Sequence, residues 1–278
     1  MIYVIGDSGY VGKNLCETLS KAQIPFIGTS NLGGREFLDI LRPESFDNLT
    51  TLKEGAHLML FPWHVSGNYW EDPINKQYLT GYKTLLLKLK ELNLNLNVVI
   101  AGTGAEIHGE PTEIDSLYAE TKRQLSYFCK EIASKRLKIT WVRIFHTFGR
   151  FESKRRLIPL LIQSAKNKEI LELKNPNKIL HLNHIQFTCN IFEALLTKPA
   201  KTSYTMVNAT TGKVVRISDV AEYINAFASG IPIELVTHGQ KTFFGEHNFV
   251  SKQSVIDNDQ HEKLDEAIRK HIELELVM

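Results

Sequence analysis

Cysteine is scarce in this chain, with three in 278 residues. Cys16, Cys129 and Cys189 are scattered, odd in number and form no CxxC pair. That excludes a disulfide scaffold and a cysteine-based zinc site, so no metal is expected, and it points to reduced thiols in a cytoplasmic protein. An excess of one charge is lacking too. The 33 Lys and Arg stand against 31 Asp and Glu, so the balance implies neither a nucleic-acid surface nor an anionic-membrane surface. No apolar run reaches membrane-spanning length. No repeat or low-complexity tract is present, and the first strand-like run starts at residue 2, so no signal peptide is expected.

What remains is a chain with 43% hydrophobic residues, ample for a core. Over residues 1–150, short apolar runs alternate with helical periods, as βα units around a parallel sheet do. The strand-like runs are Ile2-Tyr3-Val4-Ile5, Pro25-Phe26-Ile27-Gly28, Phe37-Leu38, Leu58-Met59-Leu60-Phe61, Asn97-Val98-Val99-Ile100 and Thr140-Trp141-Val142-Arg143-Ile144. Helices are expected after Gly9, through 82–92 and over 117–135. Past Gly149 the texture changes to charged turns, a helix from Leu157 and shorter segments. The expected organisation is therefore a dinucleotide-binding unit over 1–150 and a smaller lobe over 151–278, with 180–197 packing back on the first. Ser218 is the expected N-cap of a helix from Ile217, and the tail from Asp257 is expected to be a polar surface helix.

The first strand runs directly into Gly6-Asp7-Ser8-Gly9-Tyr10-Val11-Gly12. Glycines at this spacing permit a tight turn, close approach of backbone to a pyrophosphate, and close helix-on-strand packing. Free N–H groups and the dipole at the helix start make that turn an anion site. Gly6, Ser8, Gly9, Tyr10, Val11 and Gly12 are thus candidate cofactor residues. Where an acidic residue would mark NAD, the second strand instead ends Gly28-Thr29-Ser30-Asn31, with Arg35 following. Thr29, Ser30 and Arg35 suit a 2′-phosphate, which favours NADP over NAD. Asp39 and Ile40 are candidates for flanking the adenine.

Tyr118 and Lys122 lie four apart on an expected helix, so they share a face. A free tyrosine, with a pKa of about 10, is a poor proton carrier at neutral pH. A neighbouring ammonium favours the phenolate and brings it toward working range. Thr103, after the strand at 97–100, is the candidate hydroxyl to share a substrate oxygen.

These motifs resemble the extended short-chain dehydrogenase/reductase family of nucleotide-sugar epimerases, dehydratases and reductases. Further similarity lies in Arg143-Ile144-Phe145-His146-Thr147-Phe148-Gly149, Arg156-Leu157-Ile158-Pro159, Leu180-His181-Leu182-Asn183-His184-Ile185 and Val207-Asn208-Ala209-Thr210-Thr211-Gly212. The resemblance implies a Rossmann-like, doubly wound parallel α/β sheet with a smaller C-terminal lobe. It also implies a nucleoside diphosphate sugar as substrate and a homodimer paired through a four-helix bundle. His146, Arg156, Leu157 and Lys178 fall at positions that face the sugar nucleotide in the family. Two of them depart from the pattern: His146 replaces a usual Asn, and Asn177-Lys178 replace a usual Arg-Asp. The family places the catalytic hydroxyl at Thr103 or Gly104, depending on how Glu106-Ile107-His108-Gly109 aligns.

The chemistry narrows by elimination. Family dehydratases carry Asp-Glu after the hydroxyl residue, where this chain has Gly104-Ala105. Reduction of a 4-keto-6-deoxy nucleotide sugar with NADP is the leading expectation. A 4-epimerase with tightly held NAD is the alternative, and a non-catalytic dinucleotide sensor a more distant one.

Overall fold

The computed structural model describes residues 1–32, 37–197, 201–231, 234–236 and 264–277. Its first half alternates strands and helices: β1 (Ile2–Ile5), α1 (Tyr10–Lys21), β2 (Phe26–Gly28), β3 (His57–Leu60), α2 (Ile74–Glu91) and β4 (Leu96–Thr103). A short α3 (Pro111–Ile114) precedes α4 (Leu117–Ile132), which leads into β5 (Leu137–Ile144). Next come β6 (His146–Phe148), α5 (Leu157–Asn167), β7 (Ile179–Leu180), β8 (Leu182–His184) and α6 (Ile185–Thr197). The chain then forms β9 (Tyr204–Ala209), β10 (Val215–Arg216), α7 (Ile217–Ala228) and α8 (Leu264–Val277).

Six strands form one parallel sheet in the order β2-β1-β3-β4-β5-β9. Strand order reverses between β1 and β3, leaving a crevice at the carboxyl ends of the strands, where ligands of such sheets sit. Both faces are covered, which explains strands that read as unbroken apolar runs. On one face α2 and α4 bury Tyr82, Leu85, Leu86, Leu125 and Cys129 against Leu58, Ile100 and Trp141. On the other, α1 and α6 bury Leu15, Leu19, Cys189 and Phe192 against Val4, Met59 and Val142. This is the doubly wound α/β architecture expected.

A separate core gathers Phe148, Ile158, Leu161, Val220, Ile224, Ile268 and Ile272 from β6, α5, α7 and α8. Three local expectations change. The tail helix is amphipathic rather than a surface element, since Ala267, Ile268, His271 and Ile272 are buried. α7 is capped by Asp219, whose carboxylate accepts from the Arg216 N–H at 3.2 Å, and not by Ser218. Phe37-Leu38 is not a strand: it runs into a turn closed by the Asp39–Arg42 bridge. Among the described residues, no helix is long and apolar enough to cross a membrane.

Candidate active site

A cavity of about 500 Å³ opens over the strand ends at the crevice. The glycine turn forms its floor. Gly6 has φ +83° and its carbonyl accepts from the Gly9 N–H at 3.0 Å, reversing the chain from β1 into α1. A Cβ at Gly12 would stand 2.2 Å from that same carbonyl oxygen, so the helix can pack this closely only with glycine there. Gly9 differs, with φ −77° and only the Gly6 oxygen, at 3.3 Å, near a Cβ. A side chain on Gly9 would therefore project toward the cavity. No side chain caps α1 and no acid lies in its first turn, so its N–H groups stay available to an anion.

The opposite wall carries Thr103 at the end of β4 and Tyr118 and Lys122 on α4. Ser116 starts α4, its hydroxyl accepting from the Ala119 N–H at 3.2 Å, and this sets Tyr118 in the first turn. Burial pushes the Tyr118 phenol well above its usual pKa, and the neighbouring Thr103 hydroxyl offsets only part of the rise. The phenol is thus held protonated. Lys122 is 3% exposed, donates to the Ala101 carbonyl at 2.7 Å, and stands 3.8 Å over the Trp63 ring. Burial lowers its pKa to about 7, with the Glu106 carboxylate pulling it back up.

Beneath this group lies a buried ion pair. Glu106 accepts from the Arg143 Nε at 2.7 Å, from the Trp141 indole at 3.0 Å and from the Thr103 N–H at 2.9 Å. Burial raises the Glu106 pKa and Arg143 opposes the rise. An aromatic loop closes the side: Tyr69 and Trp70 stack at 4.6 Å and each meets Tyr118 edge-on. Asn75, fully buried, pins that loop by accepting from the Trp63 indole at 2.7 Å and donating to the Tyr69 carbonyl at 2.7 Å.

At the far end the wall includes His146, Arg156, His108 and Glu113. His146 is held neutral, its pKa lowered to about 3 by burial, with the neighbouring Lys178, His108 and Arg156 side chains adding to the effect. Arg156 is exposed and pairs with Glu152 at 3.4 Å. Of the expected substrate residues, Leu157 packs into the second core and does not line the cavity. Lys178 is also off the wall, reaching it only through an ion pair with Glu113.

At the end beside β2, Thr29, Ser30, Asp39 and Ile40 line the cavity. Arg35 lies outside the described residues. The sequence offers no carboxylate on the end of β2, but the fold delivers one from the turn: Asp7 accepts from the Thr29 hydroxyl at 3.2 Å and from the Ser30 N–H at 3.2 Å. A carboxylate thus stands beside the end of β2, where counting along the sequence finds none.

The sequence matches the profile of the NAD dependent epimerase/dehydratase family over residues 2–210. The chain belongs to this family. Membership agrees with the motif resemblance, and the family's solved structures share the fold. UDP-glucose 4-epimerase of Thermus thermophilus, solved with NAD, is 16% identical with TM-score 0.71, covering 98% of this chain and 97% of that one. TunA, an NAD-dependent NDP-hexosamine 5,6-dehydratase of tunicamycin biosynthesis, is 18% identical with TM-score 0.72, covering 100% and 98%. RMD from Pseudomonas aeruginosa, solved with NADPH, is 17% identical with TM-score 0.68, covering 99% and 98%. No curated protein matches the sequence. At these identities the structures speak for the epimerase/dehydratase fold, and the reaction has to be argued from this chain's own side chains.

Motif reading alone misses Asp7, Glu106, Asn75 and Glu113. Asp7 and Glu106 sit inside quoted motifs, but only the three-dimensional path shows what their carboxylates touch. An acid three residues after the strand-end Thr103, at capping-box spacing, was the signal the sequence carried for Glu106.

Proposed function

We propose that the chain transfers a hydride and a proton at one carbon, C4, of a nucleoside diphosphate sugar, reducing a 4-keto-6-deoxy sugar to its alcohol. The observation that carries this reading is the meeting of Thr103, Tyr118 and Lys122 in the cavity floored by the glycine turn. That floor fits a dinucleotide pyrophosphate, given the bare Gly9 and the uncapped start of α1. When bound, a nicotinamide dinucleotide supplies the hydride. Tyr118 supplies the proton: its O–H bond breaks as the carbonyl oxygen takes the proton, and Thr103 holds that oxygen by a hydrogen bond. Burial by itself makes this phenol a weak acid, opposite to the shift expected from the Tyr118–Lys122 pair, so the donor role relies on stabilising the phenolate as the proton leaves. Lys122 stabilises the phenolate left behind, and Glu106 favours its charged form.

Dehydration finds little support. Gly104 and Ala105 carry no proton-transfer group, and Glu113 is engaged by Lys178. The smaller lobe, which we place from about residue 150, would face the sugar nucleotide, with Arg156 nearest its phosphates. The same reading carries a homodimer paired through α2 and α4, where Leu87 and Tyr127 are exposed. One observation favours a second reading, 4-epimerisation with retained NAD: the Asp7 carboxylate at the end of β2.

Two measurements check the proposal. Gly9→Val is expected to abolish dinucleotide binding in calorimetric titration while the protein stays folded, because its backbone already suits valine and its Cβ meets little protein. Unchanged affinity would remove the cofactor assignment. Incubation with a 4-keto-6-deoxy nucleotide sugar should consume reduced dinucleotide one for one, followed by nicotinamide absorbance. Interconversion of two nucleotide hexoses with no net cofactor change would instead establish the epimerase.

A further inference from the structure

Asp7 stands in the glycine turn, but its carboxylate belongs spatially to the end of β2. One oxygen accepts from the Thr29 hydroxyl at 3.2 Å, and both accept from the Ser30 N–H, at 3.2 and 3.3 Å. The Ser30 hydroxyl donates to Asp7 as well. The carboxylate lies against the strand: a Cβ on Gly28 would land 2.2 Å from the Asp7 carboxylate oxygen, so a larger residue there would push the carboxylate from this position. Asp7, Thr29 and Ser30 all line the cavity.

Two consequences follow for a dinucleotide in this cavity. The hydroxyls of Thr29 and Ser30, which by residue type suit a 2′-phosphate, already donate to Asp7. A doubly charged 2′-phosphate placed here would meet a carboxylate at short range, an unfavourable pairing in a partly desolvated site. A ribose 2′-hydroxyl would instead find an acceptor. In dinucleotide folds that acceptor ordinarily comes from the end of the second strand, about 20 residues past the glycines. Here it comes from within the glycine turn.

We propose that Asp7 sets the cofactor preference of this chain, selecting a nicotinamide dinucleotide with a free ribose 2′-hydroxyl, NAD(H), over its 2′-phosphorylated form, NADP(H). The inference rests on the dinucleotide reading of the cavity and reverses the preference expected from residues 28–35. It makes Asp7 a specificity-determining residue and the glycine at position 28 its structural complement.

The test is calorimetric titration of the full chain with NADH and NADPH, alongside thermal melting with each. The native protein should bind NADH at least about tenfold more tightly and be stabilised by it more at equal concentration. Asp7→Asn, close to isosteric, and Asp7→Ser, smaller, should each shrink that ratio by about tenfold or more, through weaker NADH and unweakened NADPH binding. Preference of the native protein for NADPH, or a ratio unmoved in both Asp7 variants, would overturn the inference while leaving the dinucleotide site intact. Failure of the native protein to bind either form would overturn the site reading and this inference together.

Discussion

Tyr118→Phe is expected to lose a factor of about 10² to 10⁴ in turnover, the usual contribution of a positioned general acid, while retaining dinucleotide affinity. The variant removes one oxygen and its proton. Its ring keeps the edge-on contacts with Tyr69 at 5.1 Å and Trp70 at 5.6 Å, and the Tyr118 N–H still donates to the Trp70 carbonyl at 2.9 Å. The wall therefore stays in place, and the loss reads as chemistry rather than folding. The Thr103 backbone stays tied to Glu106. Near-native turnover in Tyr118→Phe would remove Tyr118 as proton donor, and cofactor affinity falling together with turnover would point to collapse of the wall instead.

Glu106→Ala should produce the largest stability loss among the site residues. Removing one member of a buried ion pair leaves the other charge uncompensated and typically costs about 3–5 kcal/mol. Here the Arg143 side chain is 7% exposed and cannot swing to solvent without opening the sheet. The Trp141 indole, itself fully buried, and the Thr103 N–H lose their acceptor as well. Chemical denaturation should show the midpoint falling with little change in slope. Glu106→Gln, which keeps the volume and one acceptor oxygen, should lose less. If Glu106→Ala unfolds at the native midpoint, the buried pair contributes nothing, and the support assigned to Thr103 must come from elsewhere.

Apart from Phe37-Leu38, the order of the main strands and helices up to β5 was legible because each depends on local signals: apolar runs, glycine punctuation and helical spacing. The pair Tyr118 and Lys122 was legible for the same reason, since four residues on a helix share a face whatever surrounds them. Contacts between distant segments were not. β9 joins the sheet beside β5 across the 59 residues from 145 to 203, and its run ends in Asn208 and Ala209 without a strong strand pattern. The burial of α8 depends on β6 and α7 presenting Phe148 and Ile224 to it. Asp7 shows the limit most clearly. Counting forward from the glycines finds no acid on the second strand, yet the turn conformation puts a carboxylate there. Leu157 and Lys178 are placed by long-range packing that motif position does not show: Leu157 sits against the second core and Lys178 pairs with Glu113.

The central claim, hydride and proton transfer at one sugar carbon, is tested most directly by isotope tracing. A 4-keto-6-deoxy nucleotide sugar is incubated with the protein and reduced dinucleotide bearing deuterium at the transferable nicotinamide position, and the product is analysed by mass spectrometry. The account predicts one deuterium per product, bound to C4, with the hydroxyl proton coming from solvent through Tyr118. Product formed without deuterium at C4, or product that has lost water, would contradict it.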